Sequence, residues 1–275
     1  MKDIIIYGDA LAEGVAAVLA RIVGISGKYR IVHLASMATT PKIGDCTLFL
    51  HQEPFDAQPI LDRLPIDCRG IGFPSLEIRH LWPFTCINPF NRADPPQYPH
   101  GRFPKGDSFI VSCLERGVPP EKIVDYYCSV EWNDAWPDLR AVEQEDCERL
   151  SMLDARTQFS MAPYIREHVS RTRLFWNSTA PTNEVFSELV FGILKRMYGE
   201  KPPISRKVLV ELMHRFGEQD FFGQATVPIH PHVARTFDLR WYKNDAKFSY
   251  MGEMLTYREY FEQMVRDSLT SMVAT

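Results

Sequence analysis

The sequence predicts an α/β fold, a parallel sheet flanked by helices in a flavodoxin-like strand order, with a helical insertion. Three observations carry this. Short apolar runs without polar alternation recur through the first half, as strands covered on both faces require. Stretches with helical spacing follow the first and third of these runs. The first run also ends on a glycine that opens directly into a helix.

The elements follow in order. Ile4-Ile5-Ile6-Tyr7 stops at Gly8, and from Ala10 to Val23 the apolar residues Leu11, Val15, Val18, Leu19 and Ile22 recur on one helical face. Arg30-Ile31-Val32-His33-Leu34 reads as a second strand and Thr47-Leu48-Phe49-Leu50 as a third, followed by a helix over 57–63. Strands over 70–73 and 173–177 would complete a five-stranded sheet. Residues 83–104 are rich in proline and aromatic residues, which marks a long irregular loop with functional potential. Helices are expected from Asp107 to Arg116, from Pro119 or Pro120 onward, over 139–169 with one break, over 182–198 capped by Thr182, and over 205–216 and 256–273. With no repeat and no linker, the reading is a single domain over 1–275 with a helical insertion at roughly 105–170.

Composition narrows the function. A chain of 275 residues buries roughly 70–75% of its unfolded surface, enough for a sizeable core. Its 31 basic and 35 acidic residues give a formal charge of -4 without a basic tract, which argues against nucleic acid as a partner. The cysteines Cys46, Cys68, Cys86, Cys113, Cys128 and Cys147 occur singly, without the paired spacing of a zinc site, so no metal is expected. No apolar stretch approaches the ~20 residues of a membrane span, and the N-terminus has no signal-like core. Together these features lead us to expect a cytoplasmic protein with reduced thiols.

Two segments carry candidate chemistry. Gly8-Asp9-Ala10-Leu11 resembles the Gly-Asp-Ser-Leu turn of SGNH-type hydrolases with alanine in place of serine, and Ile229-His230-Pro231 resembles the stretch that carries their base. A methyl group at Ala10 offers no nucleophile. More broadly, the chain resembles the WcbI-type capsular polysaccharide biosynthesis acetyltransferase family. The matching pieces are Ile4-Ile5-Ile6-Tyr7-Gly8, Phe73-Pro74-Ser75-Leu76 with Leu81-Trp82-Pro83-Phe84, Lys105-Gly106-Asp107-Ser108-Phe109, Ala180-Pro181-Thr182-Asn183, and His230-Pro231-His232-Val233-Ala234 with Leu239-Arg240-Trp241. The resemblance implies an SGNH-like core, coenzyme A (as acetyl-CoA) as co-substrate, and a sugar or glycan acceptor. The chain departs from the family where Gly-Asn-Cys-Gln becomes Gly8-Asp9-Ala10-Leu11 and Asn-His-Pro-Thr becomes Thr179-Ala180-Pro181-Thr182. Val227 also stands where SGNH hydrolases place the aspartate that orients the base.

On this reading the candidate catalytic residues are His230, His232 and Asp9. The backbone around Gly8, Ala10 and Leu11 could hold an oxyanion or phosphate at a helix N-terminus, and Arg79, Arg102 and Lys105 could pair with phosphates of the cofactor. Each has a competing structural role. Asp9 and Asp107 suit helix caps, the histidines suit buried bonding positions, and the aromatics Trp82, Phe84, Phe90, Tyr98 and Phe103 can pin their loop to the core as readily as stack on a ligand. The expected function is acyl-CoA-dependent O-acetyl transfer to a sugar or polysaccharide precursor by direct attack. The alternative is a catalytically silent protein that binds coenzyme A, a glycan or a partner enzyme; a hydrolase recruiting Ser108 or a water from outside the usual site ranks third. Thiol titration in denaturant should return six free thiols with or without prior reduction; a reproducible four or fewer without reductant would contradict the reduced-compartment expectation.

Overall fold

The structure, a computed structural model, describes residues 1–35, 45–94, 98, 100–129, 136–215, 222–223 and 226–273. In chain order, β1 (Lys2–Tyr7) leads to α1 (Ala10–Leu19), α2 (Val23–Ser26), β2 (Tyr29–Leu34), β3 (Cys46–Glu53), α3 (Gln58–Leu61) and β4 (Arg69–Pro74). There follow β5 (Thr85–Ile87), β6 (Lys105–Asp107), α4 (Ser108–Glu115), α5 (Pro120–Cys128), α6 (Leu139–Thr157) and α7 (Met161–His168). The remainder is β7 (Phe175–Asn177), β8 (Ala180–Pro181), α8 (Asn183–Tyr198), α9 (Arg206–His214), α10 (Pro231–Thr236), β9 (Phe248–Tyr250), β10 (Glu253–Leu255) and α11 (Tyr257–Val273). Contacts gather these elements into two compact units. The first comprises Met1–Glu77, Cys147–Val169 and Ala180–Gly223; the second comprises Ile78–Asp146, Ser170–Thr179 and Gln224–Thr275. The segment read as a helical insertion is thus shared between the two.

The first unit holds a parallel sheet in the order β2-β1-β3-β4. Ile4, Ile5, Ile6, Phe49 and Leu50 have no exposed surface, which is why β1 and β3 read as continuous apolar runs. One face packs Ile5, Tyr7, Phe49 and Leu34 with Ala57 and Ile60. The fifth strand expected over 173–177 does not join this sheet, which has four strands. Only Phe175–Asn177 is extended, and the Arg173 side chain makes cation–π contacts with Trp176 and Trp241 at 4.9 and 5.2 Å.

The break expected within 139–169 falls at Gln158, whose φ of 59° ends α6. Asp154 then accepts the Ala162 N–H at 2.6 Å to start α7. Helix α8 begins as expected just after Thr182, and α9 after Ser205, whose hydroxyl accepts the Val208 N–H at 3.4 Å. Residue 216, the expected end of α9, lies outside the described residues.

The second unit is built around aromatic side chains. Phe103, Tyr127, Tyr250, Tyr257, Tyr260 and Phe261 are all buried in one cluster drawn from α4, α5, α11, the short hairpin β9-β10 and the segment before β6. Helix α11 starts with a capping box in which Glu259 accepts the Thr256 N–H at 2.7 Å and Thr256 Oγ1 accepts the Glu259 N–H at 3.3 Å. The proline-rich loop is pinned by asparagines: Asn88 Nδ2 donates to the Phe103 carbonyl at 3.1 Å and Asn91 Oδ1 accepts the Phe103 N–H at 3.0 Å.

Gly8 has φ of 151°, and a Cβ built there would meet Gln52 Oε1 at 2.5 Å and the Ala12 Cβ at 2.8 Å. Gly117 also has positive φ, 69°, but nothing lies within 4 Å of its added Cβ. Gly8→Ala should therefore cost about 2–4 kcal/mol, strain plus overpacking, and Gly117→Ala about 1 kcal/mol. Equal losses in urea denaturation would show that the approach of Gln52 is not what demands glycine.

Candidate functional site

In the first unit, β1 is flanked by β2 on one side and β3 on the other, so the strand order reverses between β1 and β3. In open α/β sheets, ligands gather at the carboxyl ends of the strands beside such a reversal. Gly8-Asp9-Ala10-Leu11 leaves β1 at that edge, where Tyr7 pairs with His51 and the next residue on β3 is Gln52. Gln52 is buried, accepts the Asp9 N–H at 3.1 Å and donates to Ser75 Oγ at 2.8 Å; that hydroxyl in turn donates to the Glu53 carbonyl at 2.6 Å.

The turn is largely self-satisfied. Gly8 N–H donates to the Leu34 carbonyl at 3.2 Å, and the Asp9 carboxylate accepts the Leu11 N–H at 2.8 Å. Asp9 is thus the cap of α1, the structural role weighed against its catalytic one, and its negative charge sits where an incoming anion would have to bind. Three of the N–H groups considered for an oxyanion or phosphate, those of Gly8, Asp9 and Leu11, are already bonded. Ala10 is exposed.

The second unit contains a cavity enclosing about 430 Å³ of free space, part of it open to solvent. Its walls are Trp82, Phe84, Val227, Phe261 and Met264, with Lys105, Asp107, Tyr127, Asn177, Ser178 and His230 as the polar contributors. Trp82 is fixed by an indole N–H bond to the Val227 carbonyl at 3.1 Å. Of the loop aromatics, Trp82 and Phe84 reach this cavity, whereas Phe103 is core and Phe90 packs against it. Tyr98 has the Arg102 guanidinium 5.9 Å from its ring centre.

His230 is buried, with both ring nitrogens in use. Nε2 lies 2.7 Å from the Tyr127 carbonyl and donates to it, and Nδ1 accepts the His232 N–H at 3.0 Å. This fixes the neutral tautomer with the proton on Nε2. Burial lowers the imidazole to about 4, with His232 and Arg235 adding to the shift and the Tyr127 bond opposing it. The orienting group that Val227 cannot supply is therefore replaced by a backbone carbonyl. It holds His230 as a donor and as the cap of α10, leaving no free lone pair for the base role expected of it.

His232, two residues further along, is half-buried, and its ring packs against Trp136 at 5.1 Å. Among the described residues, no hydrogen bond engages its ring nitrogens. Burial and Arg235 lower its pKa, which favours the neutral imidazole.

Asp107 caps α4 by accepting the Phe109 and Ile110 N–H groups at 3.0 and 3.2 Å, as its sequence context suggested, and also accepts the Tyr127 hydroxyl. Burial raises its carboxyl to about 7 against the lowering effect of those bonds. Sequence reasoning did not place Asp107 or Tyr127 in a cavity wall. Nor did it find the buried pair of His80 and Asp146, 2.8 Å apart, whose carboxylate also accepts the Arg79 and His80 N–H groups. A histidine and an aspartate 66 residues apart give no local signal of pairing.

The three cations assigned to phosphates separate. Lys105 lines the cavity. Arg102 does not line the cavity and pairs with Glu253 at 2.7 Å, Gln263 at 2.9 Å and Asp267 at 3.7 Å. Arg79 is exposed and does not line the cavity.

A family model described as "Polysaccharide biosynthesis enzyme WcbI" matches residues 3–200. The chain belongs to the WcbI family. A solved structure described as WcbI, a novel polysaccharide biosynthesis enzyme, in its native form without a disulfide bond between coenzyme A and one of its cysteines, aligns with a TM-score of 0.70. The alignment covers 99% of this chain and 92% of that one at 13% identity, which establishes a shared fold. Among curated proteins, none matches the chain. This WcbI family member thus has the expected α/β architecture, and no helix among its described residues is long and apolar enough to cross a membrane. Nor do the described residues contain a His/Cys/Asp/Glu cluster suited to a metal ion.

Two of the cavity's shifted groups, Asp107 and His230, should act oppositely on stability. Folded Asp107 keeps its proton up to about pH 7 while the unfolded carboxyl releases it near 4, so its contribution is full below that and is lost as pH rises through 7. Folded His230 stays neutral down to about 4 while the unfolded ring charges below 6.5, so its contribution is full above 6.5 and is lost as pH falls through 4. In urea denaturation, Asp107→Asn should flatten the loss of stability between pH 4 and 7, and His230→Gln the loss between 6.5 and 4. Profiles parallel to the parent's in both variants would place these protons elsewhere.

Proposed function

We propose that this chain transfers an acyl group from an acyl-coenzyme A, acetyl-CoA in the simplest case, to a hydroxyl of a sugar or polysaccharide precursor by direct attack. The observation that carries this is Ala10: a member of a polysaccharide biosynthesis family presents a methyl group at its strand-to-helix turn. A covalent relay through that position has no nucleophile. Direct transfer needs only a base and two aligned substrates.

The cavity of the second unit suits the donor. Trp82, Phe84 and Met264 offer apolar surface to an acyl-pantetheine chain, and Lys105 offers a cation for a phosphate. A bound thioester would supply the activated carbonyl, with the carbon–sulfur bond breaking as the acceptor oxygen bonds to carbon. His232 does not line the cavity, but its ring packs on Trp136 at 5.1 Å beside that of His230 at 4.6 Å, and from there it would take the acceptor's hydroxyl proton and return one to the departing sulfur. His230 acts through it, because its Nδ1 bond to the His232 N–H fixes the start of α10. A silent binding protein is the second reading, favoured by the engagement of both His230 nitrogens.

His232→Gln should lower transfer by ~100- to 10,000-fold with donor affinity nearly unchanged. His230→Gln should mainly lower the melting temperature, through a lost cap worth about 1 kcal/mol and an unpaired Tyr127 carbonyl. Full transferase activity in His232→Gln would remove it as base. Coenzyme A should raise the melting temperature of the parent, less so in Lys105→Gln and at high salt. A thermal shift without transfer to any of a broad panel of sugar acceptors would favour the silent binder.

A further inference from the structure

The second unit has another cavity, enclosing about 450 Å³ of free space, whose lining differs sharply from the first. Arg173, Lys243 and Lys247 contribute positive charge, and among the described residues no carboxylate lines it. Trp241, Tyr242 and Phe248 provide aromatic surface.

Arg173 is the anchor of this arrangement. Its guanidinium lies 4.9 Å from the Trp176 ring centre and 5.2 Å from that of Trp241, held in a fixed plane by aromatic faces. Burial lowers its pKa to about 10, which leaves it charged at neutral pH. The two lysines are exposed at 243 and 247, in the segment that follows Trp241. A planar, preorganised guanidinium with two mobile ammonium groups and adjacent aromatic faces is the donor set that recognises a phosphate attached to a ring.

We infer that this cavity is a binding site for a phosphate ester carried on a ring, with Arg173, Lys243 and Lys247 on the phosphate and Trp241 against the ring. Two sources present that chemistry, a sugar phosphate and a nucleotide. The inference does not rest on acyl transfer: it concerns binding alone, at residues given no role in the proposed reaction. Pro228 lines both cavities, so a ligand held here would lie beside the apolar one.

The test is calorimetric titration of the full chain with glucose 1-phosphate, adenosine 3′,5′-bisphosphate and inorganic phosphate, with glucose as the neutral control. At least one of the two ring phosphates should bind at least ~10-fold more tightly than glucose and should weaken as salt rises. The double variant Lys243→Gln/Lys247→Gln alters exposed side chains and should fold normally. It should lose ~10-fold or more in affinity for the ring phosphate, whereas Arg173→Gln would also disturb the tryptophans. Preference between the two ring phosphates identifies the source. Binding of glucose as tight as that of its phosphate, affinity undiminished in the double-lysine variant, or inorganic phosphate binding as tightly as both ring phosphates would overturn the inference.

Discussion

A single buried carboxyl, Asp107, ties together the elements that form the apolar cavity. It ends β6, caps α4 through two backbone N–H groups and accepts the hydroxyl of Tyr127 from α5. The Tyr127 carbonyl then receives the Nε2 proton of His230 at the start of α10, while the Tyr127 ring packs on Tyr257 and Phe261 of α11. An aromatic core of this kind buries hydroxyl groups with its rings, and each needs a partner or forfeits its hydration. Asp107 meets that need for Tyr127, and in doing so fixes the wall along which His230 lies. The cost is a carboxyl so well shielded that its ionisation moves to about 7.

The first unit rests on a different constraint, the close approach of Gln52 to the turn after β1. Because Gln52 takes the Asp9 N–H and Asp9 takes that of Leu11, the turn consumes its own donors. A turn preorganised for a phosphate or an oxyanion would instead leave such groups pointing outward. The position still sits at the reversal of strand order, where a ligand's neutral or hydroxyl-bearing part can approach the exposed Asp9 and Ala10. A hydroxyl approaching Asp9 would meet an acceptor, so what this turn accommodates is set by hydrogen bonding to a carboxylate and not by attraction for an anion.

Much of the sheet could be read from sequence, because burial on both faces leaves an unmistakable run such as Ile4-Ile5-Ile6 and a helix cap leaves Asp9 or Asp107 at its start. One break in the long helix was expected, though not its location at Gln158. The strand over 173–177 misled because a buried Leu174-Phe175 pair looks the same in a sheet edge as in a three-residue bridge. At the site, the absence of a nucleophile followed from Ala10 alone. The state of His230 did not: whether an imidazole is a base or a cap depends on which groups meet its two nitrogens. One of these comes from Tyr127, 103 residues away. The ion pairs of Arg102 were hidden for the same reason, since its carboxylate partners come from β10 and α11.

The two cavities of the second unit divide the electrostatic work. Around the apolar one, burial drives His230 to the neutral form and moves Asp107 toward it, so a reacting hydroxyl and a thioester would meet few fixed charges apart from Lys105. A neighbouring carboxylate would stabilise the imidazolium that forms as the proton is taken, and Val227 supplies none, so an imidazole here would act without that assistance. The cationic cavity does the opposite, holding charge in place with aromatic faces. On the proposed reading, the anion-binding cations Arg173, Lys243 and Lys247 lie in a different lining from the apolar cavity, where Lys105 is the cation present. A protein that gathered both tasks into one pocket would have to trade the neutrality of its base against the affinity for its substrate; here Pro228 lies on the wall of each cavity and divides the two environments.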